Sequence, residues 1–259
     1  MLSRRQFLTT TLAAGAALAW QQPKSQPAQK RTIVDAQVHV WKAESDDWKW
    51  VPGMKPHLPE PLTIETLLAM MDQVGVDRAL IVPPTWPGDR NDYALEAAKR
   101  YPNRFAAMGR IPLKSPASAA LLPKWKEQPG MLGVRLTFLG PAGAWVKDGT
   151  VDWFWPAAEK AGLPVMFIAP SQTAEFARVA ERHPQLQLIV DHMGVVVDTV
   201  KQGHLREAID QTVSLAKYPN VSVKLSGVAN NSLEPYPFKD FAPHIRRVIE
   251  AYGPQRCYW

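Results

Sequence analysis

Short apolar, β-branched runs alternate with longer segments of helical periodicity through most of the chain after residue 31. Such alternation is typical of repeated strand and helix units around a parallel sheet. We expect eight strands, which cover residues 32–40, 78–82, 104–110, 133–138, 164–168, 186–191, 221–226 and the stretch from 256 onward.

Helix boundary signals support this division. Apolar residues recur at helical spacing from 64 to 74, with Thr63 as a capping residue before them and Gly75 as a stop. Asn91 begins a second helix, Ser115 precedes a proline at the first position of a third, and Gly253 ends the last. Helices therefore separate the strands.

Eight strands with intervening helices predict an α/β fold, a TIM-type (β/α)8 barrel, with the eighth strand cut off by the end of the chain. A doubly wound open sheet would have a glycine-rich turn after the first strand, and none follows Val40. In a barrel, functional residues lie at the carboxyl ends of the strands.

The net charge of +6 changes little in this picture. Five of the basic residues lie within the first 31 positions, where there is no acidic residue, and the remainder is nearly neutral. We therefore expect no nucleic-acid partner. The single cysteine, Cys257, excludes an internal disulfide framework.

The first residues have the pattern of an export signal. Ser3-Arg4-Arg5-Gln6-Phe7-Leu8 is a twin-arginine pattern followed by an apolar stretch too short to span a bilayer. We expect a signal peptide over 1–19, a linker over 20–31 and the barrel domain over 32–259, with export to the periplasm and no membrane association after cleavage. The alternative is a helical arm that stays in the cytosol.

Candidate site residues lie at the predicted strand ends. Gln37 and His39 lie two residues apart on the first strand and so share a face. His192 follows the sixth strand, Arg135 lies on the fourth and Lys224 on the seventh. Each also has a structural interpretation: the histidines as hydrogen-bonded core or turn residues, the cations as ions filling a polar barrel layer.

Three segments together resemble the amidohydrolase-2 family: Gly133-Val134-Arg135-Leu136, Asp191-His192-Met193-Gly194 and Val223-Lys224-Leu225-Ser226-Gly227. This family of the metal-dependent hydrolase superfamily includes lactonases, pyrone-dicarboxylate hydrolases and carboxylate decarboxylases. The resemblance covers the chain from about Arg31 to its last residue and implies a hydrolase with a small-molecule substrate.

The chain departs from the family pattern at three points. Gln37 replaces the first histidine of the usual His-x-His pair, no histidine occurs in strand five, and the aspartate that ends strand eight would lie beyond Trp259. His39 and His192 remain as the histidines that could bind a metal. We therefore expect either no cofactor or a single divalent metal such as zinc.

The resemblance implies a role for each candidate. In the metal-free pyrone-dicarboxylate hydrolases, His192 would polarise a carbonyl, Arg135 would bind a substrate carboxylate, and a strand-eight aspartate would activate water. His39 and His192 are thus the candidate catalytic residues, and Gln37 and Lys224 join Arg135 as substrate-binding candidates. Arg90 and Trp41 are substrate-binding candidates because of their positions in the loops after strands two and one, although the loop that contains Trp41 could equally be a packed loop.

Three functions stay open at this point. The first is hydrolysis of a small cyclic ester or carboxylated ring. The second is zinc-dependent decarboxylation, and the third is an inactive barrel that binds a small carboxylate. His57 and Arg110 are further site candidates. The sequence specifies neither the substrate nor the oligomeric state.

An eighth strand that stops early has a structural consequence. We expect strands one and seven to keep unpaired backbone groups and the core to be open, so that the chain behaves as an unstable fragment of a longer reading frame.

Overall fold

The structure, a computed structural model, describes residues 31–56 and 58–259. Eight parallel strands lie in chain order in one sheet. The strands are β1 (Val34–Val38), β2 (Arg78–Ile81), β3 (Phe105–Gly109), β4 (Met131–Thr137), β5 (Val165–Ile168), β6 (Leu188–Val190), β7 (Val221–Lys224) and β8 (Cys257–Tyr258). The predicted signal peptide and His57 lie outside the described residues, as does the linker apart from Arg31.

Helices in the described part of the chain connect these strands. They are α1 (Ile64–Val74), α2 (Asp92–Arg100), α3 (Phe154–Lys160), α4 (Thr173–Arg182), α5 (Val197–Lys201), α6 (Leu205–Ser214), α7 (Val228–Asn231) and α8 (Ala242–Tyr252). Short 3-10 segments cover Pro116–Glu127, Gly140–Ala144, Asp191–Gly194, Leu215–Lys217 and Pro254–Arg256. The predicted TIM-type barrel is confirmed, and every strand begins and ends within two residues of its predicted bounds.

The end of the barrel corrects one expectation. β8 pairs with β7 through Val223 opposite Cys257 and Lys224 opposite Tyr258. On the other side, the amide of Ala36 in β1 donates a 2.7 Å hydrogen bond to the carbonyl of Trp259. The last three residues therefore connect β7 to β1, and the barrel is nearly closed where we expected unpaired edges.

Helix ends follow the local chemistry. The Thr63 hydroxyl accepts from the amide of Thr66 at 3.2 Å, and Gly75 takes the left-handed conformation that ends α1. The segment after Ser115 forms a 3-10 helix over Pro116–Glu127, with Pro123 inside it.

The strands are apolar over most of their length because helices and barrel interior cover both faces. All four residues of β5 are buried, and large side chains such as Phe138, Phe154 and Phe176 fill the space between strands and helices. Within the described ranges, the helices are too short or too polar to span a membrane. This core holds the carboxyl ends of the strands together at one mouth of the barrel.

Candidate active site

His39 lies just beyond β1 in a fixed tautomer. Its Nδ1 is 2.6 Å from the carbonyl oxygen of Val82, which can only accept a hydrogen bond. Nδ1 therefore carries the proton and Nε2 keeps its lone pair. Burial, more than the nearby cations, lowers the pKa of His39 to about 3, so the ring is neutral at physiological pH.

Gln37 connects this histidine to the opposite side of the barrel. Its Oε1 accepts a hydrogen bond from the ammonium of Lys224, 187 positions later in the sequence. Its Nε2 lies 3.4 Å from Nε2 of His39, so the amide faces that lone pair with its donor side. The glutamine thus joins β1 to β7 through polar groups.

Lys224, Asp191 and Arg135 form a buried ionic cluster. The Lys224 ammonium lies 2.9 Å from one oxygen of Asp191, and Nε of Arg135 donates to the other at 3.0 Å. The side chains of Lys224 and Asp191 are 0% exposed and that of Arg135 is 6% exposed. Two cations therefore share one carboxylate away from water.

Electrostatics within the cluster follow from this geometry. Burial alone would raise the pKa of Asp191, but Lys224 and Arg135 lower it well below its usual range. Burial lowers the pKa of Lys224, and the attraction of Asp191 opposes that effect. The carboxylate is therefore ionised at neutral pH, and its low pKa makes it a poor proton acceptor.

His192 occupies a strained position directly after β6. Its φ is +53° and that of Met193 is +55°, values that non-glycine residues rarely adopt. Nδ1 of His192 lies 2.9 Å from the hydroxyl of Ser226. A Cβ added to Gly227 would lie 2.8 Å from that Nδ1, so the ring can occupy its position only beside a glycine. Burial lowers the pKa of His192 to about 4, against the opposing effect of Asp191.

The polar network continues across β4 to β3. Thr137 accepts hydrogen bonds from Nη1 of Arg135 and, at 3.2 Å, from Nη1 of Arg110. A cavity of about 490 Å³ opens here between the loops that follow β2, β3 and β4. It reaches the network at Arg110, Arg135 and Thr137, whereas His39 and His192 do not line it.

Five of the predicted site residues thus meet: Gln37, His39, Arg135, His192 and Lys224. Two others lie elsewhere.

Arg90 pairs with Asp92, donates to the carbonyl of Asp47 at 2.9 Å and covers the Trp48 ring. Trp41 is 1% exposed and packs edge-on against Trp86. In this geometry both side chains hold the loops together.

Sequence reasoning did not identify Asp191, Ser226 and Thr137 as site residues. Asp191 had a signal, because it directly precedes a strand-end histidine. Thr137 lies two residues after Arg135 on β4 and so on the same face. Ser226 lies in one of the three segments that carry the resemblance, but its contact with His192 could not be predicted, since that contact depends on the left-handed turn after β6.

The comparisons with known proteins bear on this site. The sequence model of the amidohydrolase-2 family, described as Amidohydrolase, matches residues 34–259. The chain belongs to that family. The resemblance seen at the strand ends is therefore confirmed.

Two named relatives are similar over most of this amidohydrolase. L-fucono-1,5-lactonase of Burkholderia ambifaria is 24% identical over 229 residues, which cover 87% of this chain and 78% of the relative. 4-Sulfomuconolactone hydrolase of Hydrogenophaga intermedia is 26% identical over 219 residues, which cover 79% of this chain and 66% of the relative. The chain thus spans about two thirds to four fifths of these relatives.

A solved amidohydrolase from Burkholderia multivorans with bound zinc has the same fold. The two superpose with a TM-score of 0.70 at 19% identity, over 88% of this chain and 82% of that one. The zinc in that protein raises the question of whether this chain holds a metal.

The residues of this site do not fit a metal ion. Among the described residues, no group of three or more His, Cys, Asp or Glu side chains could hold one. Both oxygens of Asp191 contact cations, and Oε1 of Gln37 accepts from Lys224. A buried ammonium would repel a divalent ion beside it, and two imidazoles alone rarely hold a catalytic metal.

Proposed function

We propose that this amidohydrolase hydrolyses a small lactone and that it does so without a metal. The observation that carries the proposal is the pair of neutral imidazoles, His39 and His192, beside a buried cluster in which two cations share one carboxylate. This arrangement combines groups for proton transfer with a positive electrostatic field.

Lactone hydrolysis needs both proton transfer and a positive electrostatic field. Water adds to the carbonyl carbon, an oxyanion forms, and the ring C–O bond breaks to release a hydroxy acid. Positive charge that is fixed before the reaction and shielded from water stabilises such an oxyanion strongly. The cluster of Arg135, Lys224 and Asp191 carries one net positive charge and supplies that field.

The two histidines take complementary roles in this proposal. His39 has its proton fixed on Nδ1 by Val82, so Nε2 accepts the proton of the attacking water. When the Ser226 hydroxyl donates to Nδ1 of His192, Nε2 of that ring carries a proton. That N–H donates to the carbonyl oxygen and stabilises the oxyanion. The proton that His39 has taken from water then passes to the leaving alkoxide, which returns both rings to their neutral form.

The relatives support the substrate class. One is named for a sugar lactone and another for a sulfonated lactone, and both share about a quarter of their aligned residues with this chain. A strained cyclic ester also needs less activation than an amide, which suits a site with weakly basic imidazoles.

Hydrolysis of sugar lactones and of carboxylated or sulfonated unsaturated lactones tests the proposal. Acid release should be followed with a pH indicator for the wild type, His192→Ala and His183→Ala. His183 is the matched control because it pairs with Glu159 at 2.8 Å, outside the network. We expect turnover that His192→Ala abolishes and His183→Ala preserves.

Other results would contradict this function. If ligands bind without turnover in the wild type, the inactive carboxylate-binding barrel is the better description. Carbon dioxide release from an aromatic carboxylate that depends on added zinc would favour the decarboxylase.

We also propose that the protein is exported by the twin-arginine pathway, on the basis of Arg4 and Arg5. Replacement of both by lysine should retain an expressed reporter fusion in the cytoplasm. Export that survives the double replacement would contradict this route.

A further inference from the structure

Arg110 lies at the carboxyl end of β3 and is held there from its backbone. Oδ1 of Asn91 accepts from the Arg110 amide at 2.7 Å, and Nδ2 of Asn91 donates to the Arg110 carbonyl at 2.9 Å. This double contact explains why Asn91 makes no side-chain cap for α2. It fixes the direction in which the arginine leaves the strand.

The guanidinium of Arg110 is buried but incompletely paired. Its side chain is 12% exposed, and its Nε has no hydrogen-bond partner in the described structure. The nearest carboxylate oxygen, on the partly exposed Asp89, is 3.5 Å from Nε, which is long for a hydrogen bond. Only the hydrogen bond from Nη1 to the hydroxyl of Thr137 has an ordinary donor–acceptor distance. A buried cation with an unpaired donor is costly unless a ligand accepts from that donor.

A second cation makes this place more positive. Nη1 of Arg135 also contacts Thr137, so the two guanidinium groups meet at one hydroxyl. Asp191 is the carboxylate of Arg135 and is shared with Lys224, so the carboxylate beside Arg110 is the partly exposed Asp89. Burial, followed by repulsion from Arg135, lowers the pKa of Arg110 to about 10, and the group stays charged at neutral pH.

The cavity of about 490 Å³ begins at this pair of arginines. Leu113, Leu139 and Trp145 provide apolar walls further out. Lys114 lies at its exposed rim, with its ammonium 5.2 Å from the Trp145 ring. A polar, cationic end with apolar walls matches a small ring that carries one negatively charged substituent.

Building on the proposed lactonase function, we propose that Arg110, with Thr137 and Arg135, binds an anionic substituent of the lactone, a carboxylate or a sulfonate. The anionic substituent accepts from Nε of Arg110, and the apolar walls cover the ring. The subsite selects charged lactones over neutral ones, because a neutral substituent leaves the guanidinium unpaired.

Binding can be tested separately from catalysis by calorimetric titration of the full chain. The probes are glutarate, 4-sulfobutyrate and the neutral isostere glutaramide, against the wild type, Arg110→Gln and Arg247→Gln. Arg247 is the matched control for lost charge, since it pairs with Asp210 on the barrel exterior.

We expect the wild type and Arg247→Gln to bind at least one of the two anions about tenfold or more tightly than glutaramide. Arg110→Gln should weaken binding of that anion about 10- to 100-fold, which is the usual effect of losing a charged hydrogen bond. Which anion binds more tightly identifies the substituent. A cooperative melt of Arg110→Gln at a wild-type temperature shows that the loss is local.

The subsite is overturned if the wild type binds neither anion better than glutaramide, or if Arg110→Gln binds the anions as the wild type does. Anion binding that depends on Arg110, together with no lactone turnover by the wild type, would instead overturn the proposed function and leave the subsite standing. The two failures are therefore distinguishable.

Discussion

Replacing Gly227 with alanine should reduce catalysis by moving His192. An added Cβ would lie 2.8 Å from Nδ1 and 2.9 Å from Cγ of that ring. Ordinary contact between such atoms is about 3.5 Å, so the imidazole has to retreat by roughly 0.7 Å. A misplacement of about 1 Å can cost about a hundredfold in rate, and we therefore expect kcat to fall about 10- to 100-fold.

The backbone effect of this substitution must be separated from the clash. Gly227 has φ +77°, where a side chain costs about 1–2 kcal/mol. Gly203 has φ +78° with no atom within 4 Å of an added Cβ, so Gly203→Ala carries the same backbone cost and no contact with the site.

Urea unfolding and lactone kinetics of both variants make the comparison. Gly203→Ala should lose stability by the backbone cost alone and Gly227→Ala by at least as much, and only Gly227→Ala should lose kcat. Equal kcat in the two variants would refute the claim that Gly227 positions His192.

Three further predictions follow from the site. Lys224→Met removes one of the two cations that contact the buried Asp191, and it should lower the free energy of unfolding by about 3–5 kcal/mol in urea titrations. A loss under about 1 kcal/mol would contradict a tight buried pair. As pH falls from 7 to 5, the unfolded histidines gain protons near pH 6.5 while His39 and His192 stay neutral until about 3 and 4. Below pH 6.5 the free energy of unfolding should therefore fall by up to about 1.4 kcal/mol per pH unit for each of these two histidines. The fall should be smaller in a His39→Gln variant, which has one such histidine fewer. A free energy of unfolding that stays constant would argue against neutral rings. Arg90→Gln should leave KM for an anionic lactone within about twofold, as expected for a surface group paired with Asp92, and a tenfold rise would place Arg90 in the substrate site.

Much of the fold could be predicted because its signals are local. The apolar run of β5, the Thr63 cap and the Gly253 stop each involve residues close in sequence. The closing contact from Ala36 to Trp259 could not be predicted, since it depends on how the ends of the chain meet.

The site could be predicted only in part, because many of its contacts join residues that are far apart in the sequence. The strand-end rule identified His39, His192 and Lys224 by position. It could not show that Gln37, interpreted as a poor replacement for a metal ligand, joins Lys224 to His39 across the barrel. Pairings between residues far apart in sequence decide whether a site holds an ammonium or a metal.

Metal independence of lactone turnover tests the account most directly. The protein should be dialysed against a chelator, its residual zinc, manganese and iron measured, and its kcat compared with that of the untreated protein and of a zinc-supplemented sample. The buried Lys224–Asp191–Arg135 cluster predicts unchanged turnover in the metal-free sample. Loss of turnover on dialysis, with recovery on adding zinc, would contradict it.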